Sequence, residues 1–394
     1  MSSHYDVIVV GGGMVGAALA ALLGRSRLRV AVIEGVAPRA WSPEQLPDLR
    51  VSSVNAISQR VFAACHAWEG MYSRRAAPFR RLKVWDNSEH DGTTFHAADV
   101  GAESFGWFVE NPIIQLALWE SLAELDTVTR YCPAKPARLE PDLHHVTLTL
   151  QDGRELSADL LVGADGARSS VRHMAGIAVD VHDYHQQALI INAVTELPQQ
   201  DITWQRFTPT GPQAFLPLAG HHASLVWYHT PDKVRQLLAL SDHELIVALQ
   251  QEFPEELGGI NAILGRASFA IRRLHAQRYR AHRIVLVGDA AHVIHPLAGQ
   301  GLNIGIQDIA LLARYLERGD DPGAAKLLSA YEAHRRPANQ AMMSTMEAFH
   351  HLFTRSPAVL RQAGAKGLVM INTLSPLKRW VMRHAMGLTV INAD

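Results

Sequence analysis

The stretch Tyr5-Asp6-Val7-Ile8-Val9-Val10-Gly11-Gly12-Gly13-Met14-Val15-Gly16 decides the fold of this 394-residue chain. Tyr5 to Val10 is a short β-branched apolar run, Met14 to Gly24 has helical character, and Leu28 to Glu34 is apolar again. These patterns give strand, helix, strand. The glycines fit G-x-G-x-x-G in the context that gives it meaning, behind a strand and ahead of a helix. Gly11 permits the tight turn, Gly13 lets a pyrophosphate approach the backbone, and Gly16 lets the helix pack on the strand. The helix start at Met14 and Val15 offers unpaired amides and a partial positive charge to phosphates. Glu34 closes the next strand, roughly 20 residues on, where a carboxylate accepts hydrogen bonds from ribose hydroxyls and repels a 2′-phosphate. The bound dinucleotide is therefore FAD or NAD, not NADP.

A second stretch separates those two. Ile284-Val285-Leu286-Val287-Gly288-Asp289-Ala290-Ala291-His292 reads as a buried strand ending in Gly-Asp, followed by Pro296-Leu297-Ala298-Gly299-Gln300-Gly301-Leu302-Asn303 and an apolar helix. Asp289 suits a ribitol hydroxyl, and the small residues Ala298, Gly299 and Gly301 let backbone approach a flat ring. A helix beginning near Asn303 aims its positive end at a flavin pyrimidine, where negative charge accumulates on reduction. A nicotinamide dinucleotide has no use for that arrangement, so FAD is expected. A third stretch, Asp159 to Arg172, gives a strand, a glycine turn and a capped helix; Asp165 and Arg172 fit a structural ion pair as well as a functional one.

The chain exceeds the ~250–300 residues at which a single core stops growing, so two lobes are expected. With Lys+Arg 37 against Asp+Glu 38 it carries no electrostatic footprint for nucleic acid. Cys65 and Cys132 have no neighbour at metal or redox spacing, and Met1 runs into a strand without an export signal, so a reducing cytoplasm and an unprocessed start are expected. Apolar stretches such as Met14 to Gly24 fall short of the ~20 residues that cross a bilayer. The pairs His144-His145, His221-His222 and His350-His351 point to different sides of any regular element and make poor chelates, so no metal is expected.

Along the chain, residues 36–60 read as irregular, Asn111 to Leu125 as a helix, and Val146 to Leu150 with Asp152-Gly153 as a hairpin. From Leu189 to Phe269, short aromatic and β-branched runs predict an antiparallel sheet interrupted by one helix from about Val234 to Phe253. Arg283 to Val287 returns to parallel character, and the tail beyond Tyr331 reads as mostly helical. The expected division is 1–75, 100–180 and 275–340 for a discontinuous FAD-binding lobe, 76–99 and 181–274 for a substrate-binding sheet, and 341–394 for a helical segment.

Taken in order, the three stretches resemble the class A flavin monooxygenases, aromatic hydroxylases related to para-hydroxybenzoate hydroxylase. Within that group, Asp48-Leu49-Arg50-Val51-Ser52, Val109-Glu110-Asn111 with Leu118-Trp119, and Trp204-Gln205-Arg206-Phe207-Thr208-Pro209 look like the ubiquinone-biosynthesis hydroxylases. Ala214-Phe215-Leu216-Pro217-Leu218 and Ser224-Leu225-Val226-Trp227-Tyr228 look closest to the branch acting on 2-polyprenyl-3-methyl-6-methoxy-1,4-benzoquinol.

The resemblance implies an α/β fold: an FAD-binding Rossmann-like lobe, an antiparallel β-sheet substrate lobe and a helical C-terminus. It places Arg50 and Asn111 near the flavin or its phosphates; a solvated loop arginine and a helix-capping asparagine fit the same letters. It places Asp289 on the ribitol, Pro296 to Asn303 along the isoalloxazine, and Asp165 and Arg172 on the path of the nicotinamide. It implies that NAD(P)H reduces FAD, which then carries dioxygen to an electron-rich ring as a C4a-hydroperoxide, with water excluded.

No general base is assigned: His292, His295 and Pro296 lie beside the flavin stretch, and both histidines fit packed roles equally. Phe207, Phe215 and Trp227, with Trp204 and Tyr228, fit a prenyl-ring pocket or the core of the sheet. Near the C-terminus Leu374, Leu377, Val381, Ala385 and Leu388 fall at helical spacing beside Lys378, Arg379, Arg383 and His384. Such a helix suits the anionic inner face of the cytoplasmic membrane, the FAD lobe, or a partner in a ubiquinone-biosynthesis complex. The same three stretches also serve catabolic aromatic hydroxylases, prenyl-chain reductases and non-catalytic flavoprotein subunits.

Overall fold

The computed structural model describes residues 3–86, 92–198, 200–253, 258–296, 299 and 301–354. The strands Arg280–Ala281, Ile284–Leu286, Glu155–Gly163, Ser3–Val10, Val30–Ile33 and Val128–Tyr131 lie side by side in that order. Apart from the edge hairpin at Arg280, neighbours run parallel, and Val10 is level with both Gly163 and Ile33, as Gly163 is with Leu286. Their C-terminal ends therefore finish on one line, where open parallel sheets bind ligands. Val7, Ile8, Val9, Leu160, Leu161 and Val162 are buried against the helices Met14–Arg25, Asn111–Ala123 and Gly301–Arg318. Burial on both faces explains why these strands read as unbroken apolar runs.

The second sheet orders His292–Val293, Ile260–Ala276, Val179–Thr195, His222–His229, Gly211–Leu218, Ile202–Thr208, Arg81–Asp86 and Thr93–His96. It is antiparallel except where Arg81–Asp86 pairs in parallel with Ile202–Thr208. Successive residues face opposite sides. Trp204, Phe215, Leu225 and Trp227 meet Val234, Leu237, Leu245 and Leu249 from two helices, while Tyr228 and Ala188 turn to the other face with Tyr184 and Ile271. A third, small sheet joins Val51–Asn55, Gly106–Glu110 and Ala77–Phe79.

Two expectations are corrected. Residues 36–60 are not irregular to the end: Val51–Asn55 is a strand and Ala56–Ala64 a helix. Ser52, Ser53 and Asn55 hid the strand, yet Asn55 caps the helix by accepting from Ser58 N at 2.9 Å. The helix from Val234 to Phe253 is two, Pro231–Ala239 and Asp242–Glu252. Ser241 breaks it by adopting extended backbone and forming a capping box with Glu244. Beyond Thr354, the basic amphipathic tail lies outside the described residues, as do Leu297, Ala298 and Gln300. Among the described residues no helix is long and apolar enough to cross a membrane.

Candidate FAD site and its comparison with known proteins

The glycine loop sits at the C-terminal end of Ser3–Val10 and is clamped from three sides. Gly12 N–H donates to Glu34 Oε2 at 2.7 Å, and its carbonyl accepts from Gln115 Nε2 at 2.9 Å and Trp119 Nε1 at 2.7 Å. Gln115 and Trp119, from the helix Asn111–Ala123, were not assigned to the site from sequence; nothing local marks a side chain that grips a backbone about a hundred residues away. Gly11 has φ +106, and a Cβ there would meet Ala164 O at 2.4 Å; one on Gly16 would meet Gly11 O at 1.9 Å. At Gly13 a Cβ would meet nothing within 4 Å. The loop is thus packed solid except on the side where Gly13 opens, the shape a pyrophosphate needs.

Val15 links this loop to the second stretch. Its methyls stand 3.3 Å from where a Cβ of Gly288 would lie and 2.9 Å from one on Gly305, so both positions must be glycine for the helix to approach. Gly288 has φ +56 and turns the chain so that the Asp289 side chain opens to solvent at the end of its strand. Desolvation there raises the Asp289 carboxyl, partly offset by His292. Among the described residues no hydrogen bond satisfies this carboxylate, which leaves it for a polyol. Glu34 keeps acceptor capacity beyond its bonds to Gly12 and Val36. The residues present fit FAD.

Arg50 is exposed, and its guanidinium has no partner among the described residues; its carbonyl accepts from Asn111 N at 2.9 Å. Asn111 Oδ1 accepts from Ser52 Oγ at 2.7 Å. Gly299 has φ +62 beside Ser53, and a Cβ on Gly301 would enter open space. Leu302 packs in the core. Asn303 is fully buried, donates to Ser53 O, and accepts from Asn55 N and Ser58 Oγ. Its side chain ties the helix Gly301–Arg318 to the small sheet.

Asp165 is consumed by capping Ser170–Met174, taking Ser169 Oγ, Ser170 N, Ser170 Oγ and Val171 N. Arg172 donates to Ala290 O and Ala167 O, bracing the Asp289 turn from behind. Phe215 and Trp227 lie on the helix-covered face of the large sheet, the core alternative open at sequence level; Phe207 is on the other face against Met346 and Leu352.

His292 is 2% exposed and sets Nε2 2.5 Å from Asp308 Oδ2. Asp308 also accepts from Gly288 N, Arg335 Nε and Asn339 Nδ2. Burial would raise its carboxyl, but His292 and Arg335 overcome that and hold it well below the usual range. His292 thus serves the loop's structure. A cavity of about 340 Å³ lined by Arg278, Arg280, His282 and Arg283 lies at the opposite end of Ile284–Leu286, with Arg280 and Arg283 paired to Glu332 and Asp321.

Two outcomes follow from this geometry. Gly13→Ala will leave the melting of the FAD-free protein within about 1 kcal/mol, because the new methyl meets nothing, while fluorescence titration shows FAD affinity falling at least about tenfold. His295 is 1% exposed, and burial, aided by His350, lowers its pKa to about 3. Its unfolded form takes a proton near the ordinary value of about 6.5, so this group removes stability as pH falls from there toward 3 and contributes no slope above. Denaturant melts of His295→Phe across that window should show a shallower acid loss than the unsubstituted protein.

The family model described as FAD binding domain matches residues 4–346. The chain is 37% identical to 3-demethoxyubiquinol 3-hydroxylase of Escherichia coli (strain K12), covering 97% of this chain and 98% of that one. It is 38% identical to ubiquinone hydroxylase UbiL of Rhodospirillum rubrum, covering 97% and 89%. Among solved structures, the probable FAD-dependent monooxygenase PqsL of Pseudomonas aeruginosa superposes with a TM-score of 0.77 at 26% identity, over 90% of this chain and 97% of that one. The chain belongs to this FAD-binding family of aromatic-ring monooxygenases and is an enzyme with FAD as its cofactor.

Proposed function

We propose that this enzyme hydroxylates the ring of a polyprenylated benzoquinol in ubiquinone biosynthesis, with NAD(P)H as electron donor and O2 as co-substrate. Relatives named as ubiquinone-pathway hydroxylases along nearly their whole length support the substrate class. One structural observation supports the chemistry. The chain from Gly288 to Pro296 is stitched to the large sheet by His292–Val293 pairing with Leu274 and His275, and Tyr228 OH donates to Pro296 O at 3.4 Å. A ring held by that sheet would lie against the flavin stretch.

In this reading Gly11, Gly13, Gly16 and Glu34 hold the ADP half, Asp289 the ribitol, and Arg50 the phosphates or flavin edge. The N-terminus of Gly301–Arg318 would lie toward the flavin and favour negative charge gained there. Bound FAD supplies hydride acceptance and dioxygen activation. The protein's part is to orient the ring and to exclude water.

The test supplies FAD-loaded enzyme with NADH and a short-chain prenylated methoxybenzoquinol under labelled dioxygen. One labelled oxygen should enter the product, with NADH consumption that depends on the quinol. Oxidation of NADH without labelled product would favour a flavoprotein of other chemistry. The amphipathic spacing from Leu374 to Leu388 supports docking on an anionic membrane. Deleting residues after Ser375 should then abolish sedimentation with phosphatidylglycerol vesicles while FAD content stays unchanged.

A further inference from the structure

His295 immediately precedes Pro296, and its ring is 1% exposed, yet neither nitrogen has a hydrogen-bond partner among the described residues. Three elements fix it. Tyr228 of His222–His229 stacks on its face at 5.7 Å and 16°, Tyr184 of Val179–Thr195 meets it edge-on at 4.8 Å, and His350 of Ala325–Thr354 lies 5.0 Å away. The Tyr228 hydroxyl is directed at Pro296 O and the Asp308 network lies around His292, so neither serves His295. Buried polar atoms are rarely left unpaired in native proteins, and an exception marks a missing water or ligand.

The surroundings define that ligand. The imidazole is held neutral, so it presents one acceptor nitrogen and one N–H. A carboxylate or phosphate would have to shed its water in this apolar, aromatic setting with a single neutral N–H in exchange, which costs more than it returns. A neutral hydroxyl, which both donates and accepts, matches the imidazole in polarity. Tyr228 and Tyr184 sit on the side of the large sheet that meets the flavin stretch, so a phenol that reaches His295 arrives among aromatic rings.

We propose that His295 is the residue that accepts the hydrogen bond of the substrate's ring hydroxyl, and so sets which ring edge faces the flavin stretch. The assignment rests on the function proposed above. A hydrogen bond accepted from that hydroxyl also leaves more electron density on the ring carbons beside it, which favours attack by an electrophilic oxygen.

The experiment compares a short-chain prenylated methoxyphenol with its O-methyl ether. Each is titrated into oxidised, FAD-loaded enzyme, with the flavin visible spectrum as readout. Unsubstituted enzyme should bind the phenol on the order of tenfold more tightly, the ratio one buried hydrogen bond gives. His295→Phe, which keeps the ring and removes both nitrogens, should bind the two equally, and His295→Gln, which keeps an acceptor on a freer chain, should recover part of the preference. Equal preference in unsubstituted enzyme and either folded, FAD-loaded variant overturns the assignment. If the unsubstituted enzyme introduces labelled oxygen into the quinol but the variants discriminate as it does, only the role of His295 falls. If it binds neither compound and oxygenates no quinol, the function falls with it.

Discussion

A single buried carboxylate, Asp308, holds the second stretch in the shape that FAD needs. From its own helix it draws together two other segments, the turn carrying the Gly288 amide and the His292 ring, and the helix Ala325–Thr354 carrying the Arg335 guanidinium and the Asn339 amide. Because Asp308 is fully enclosed, the charges cannot fall back on water. Removing one partner from such a set costs ~3–5 kcal/mol, since the remaining charge stays buried. The network extends through Asn339 to the Tyr279 hydroxyl and on to His275, whose strand pairs with His292. The flavin turn, the helix Ala325–Thr354 and the edge of the large sheet are therefore one mechanical unit.

That unit meets the glycine loop through small residues. Val15 occupies the space that Gly288 and Gly305 leave, so the two halves of the FAD site approach as closely as backbone allows. Arg172 braces the Ala290 carbonyl from the other side. The site is built on strand ends and helix starts rather than on long loops, which keeps its first contacts in place before any ligand arrives.

The parallel lobe was legible because its signals are local. Strand, glycine turn and helix follow one another within a few residues; Gly11 and Gly16 answer close backbone contacts, and Gly13 opens onto free space. Glu34 was read as a ribose acceptor, but its hold on Gly12 N was invisible, because that bond joins two strand ends. Gln115 and Trp119 escaped for the same reason, and so did Asp308 and Arg335, which read as ordinary charges on amphipathic helices. The break at Ser241 was legible in principle: Ser with Glu three residues on is a capping box, yet the apolar periodicity on both sides outweighed it. Val51–Asn55 lacked the alternation that marks a strand because its polar residues bind helix ends rather than water.

His292 and His295 show where sequence reading stops. They stand three residues apart on one stretch, both are nearly inaccessible, and both fitted either a packed or a functional role. Tertiary partners separate them. His292 faces a carboxylate and is absorbed into the frame; His295 faces aromatic rings and another histidine, and stays neutral with both nitrogens unanswered. A chain that went to the length of burying Asp308 with four donors has shown that it can satisfy a polar group on this stretch when structure is the purpose. The ring one position before Pro296, where the flavin stretch meets the large sheet and unpaired among the described residues, is better explained by a partner that arrives with the substrate than by an oversight of packing.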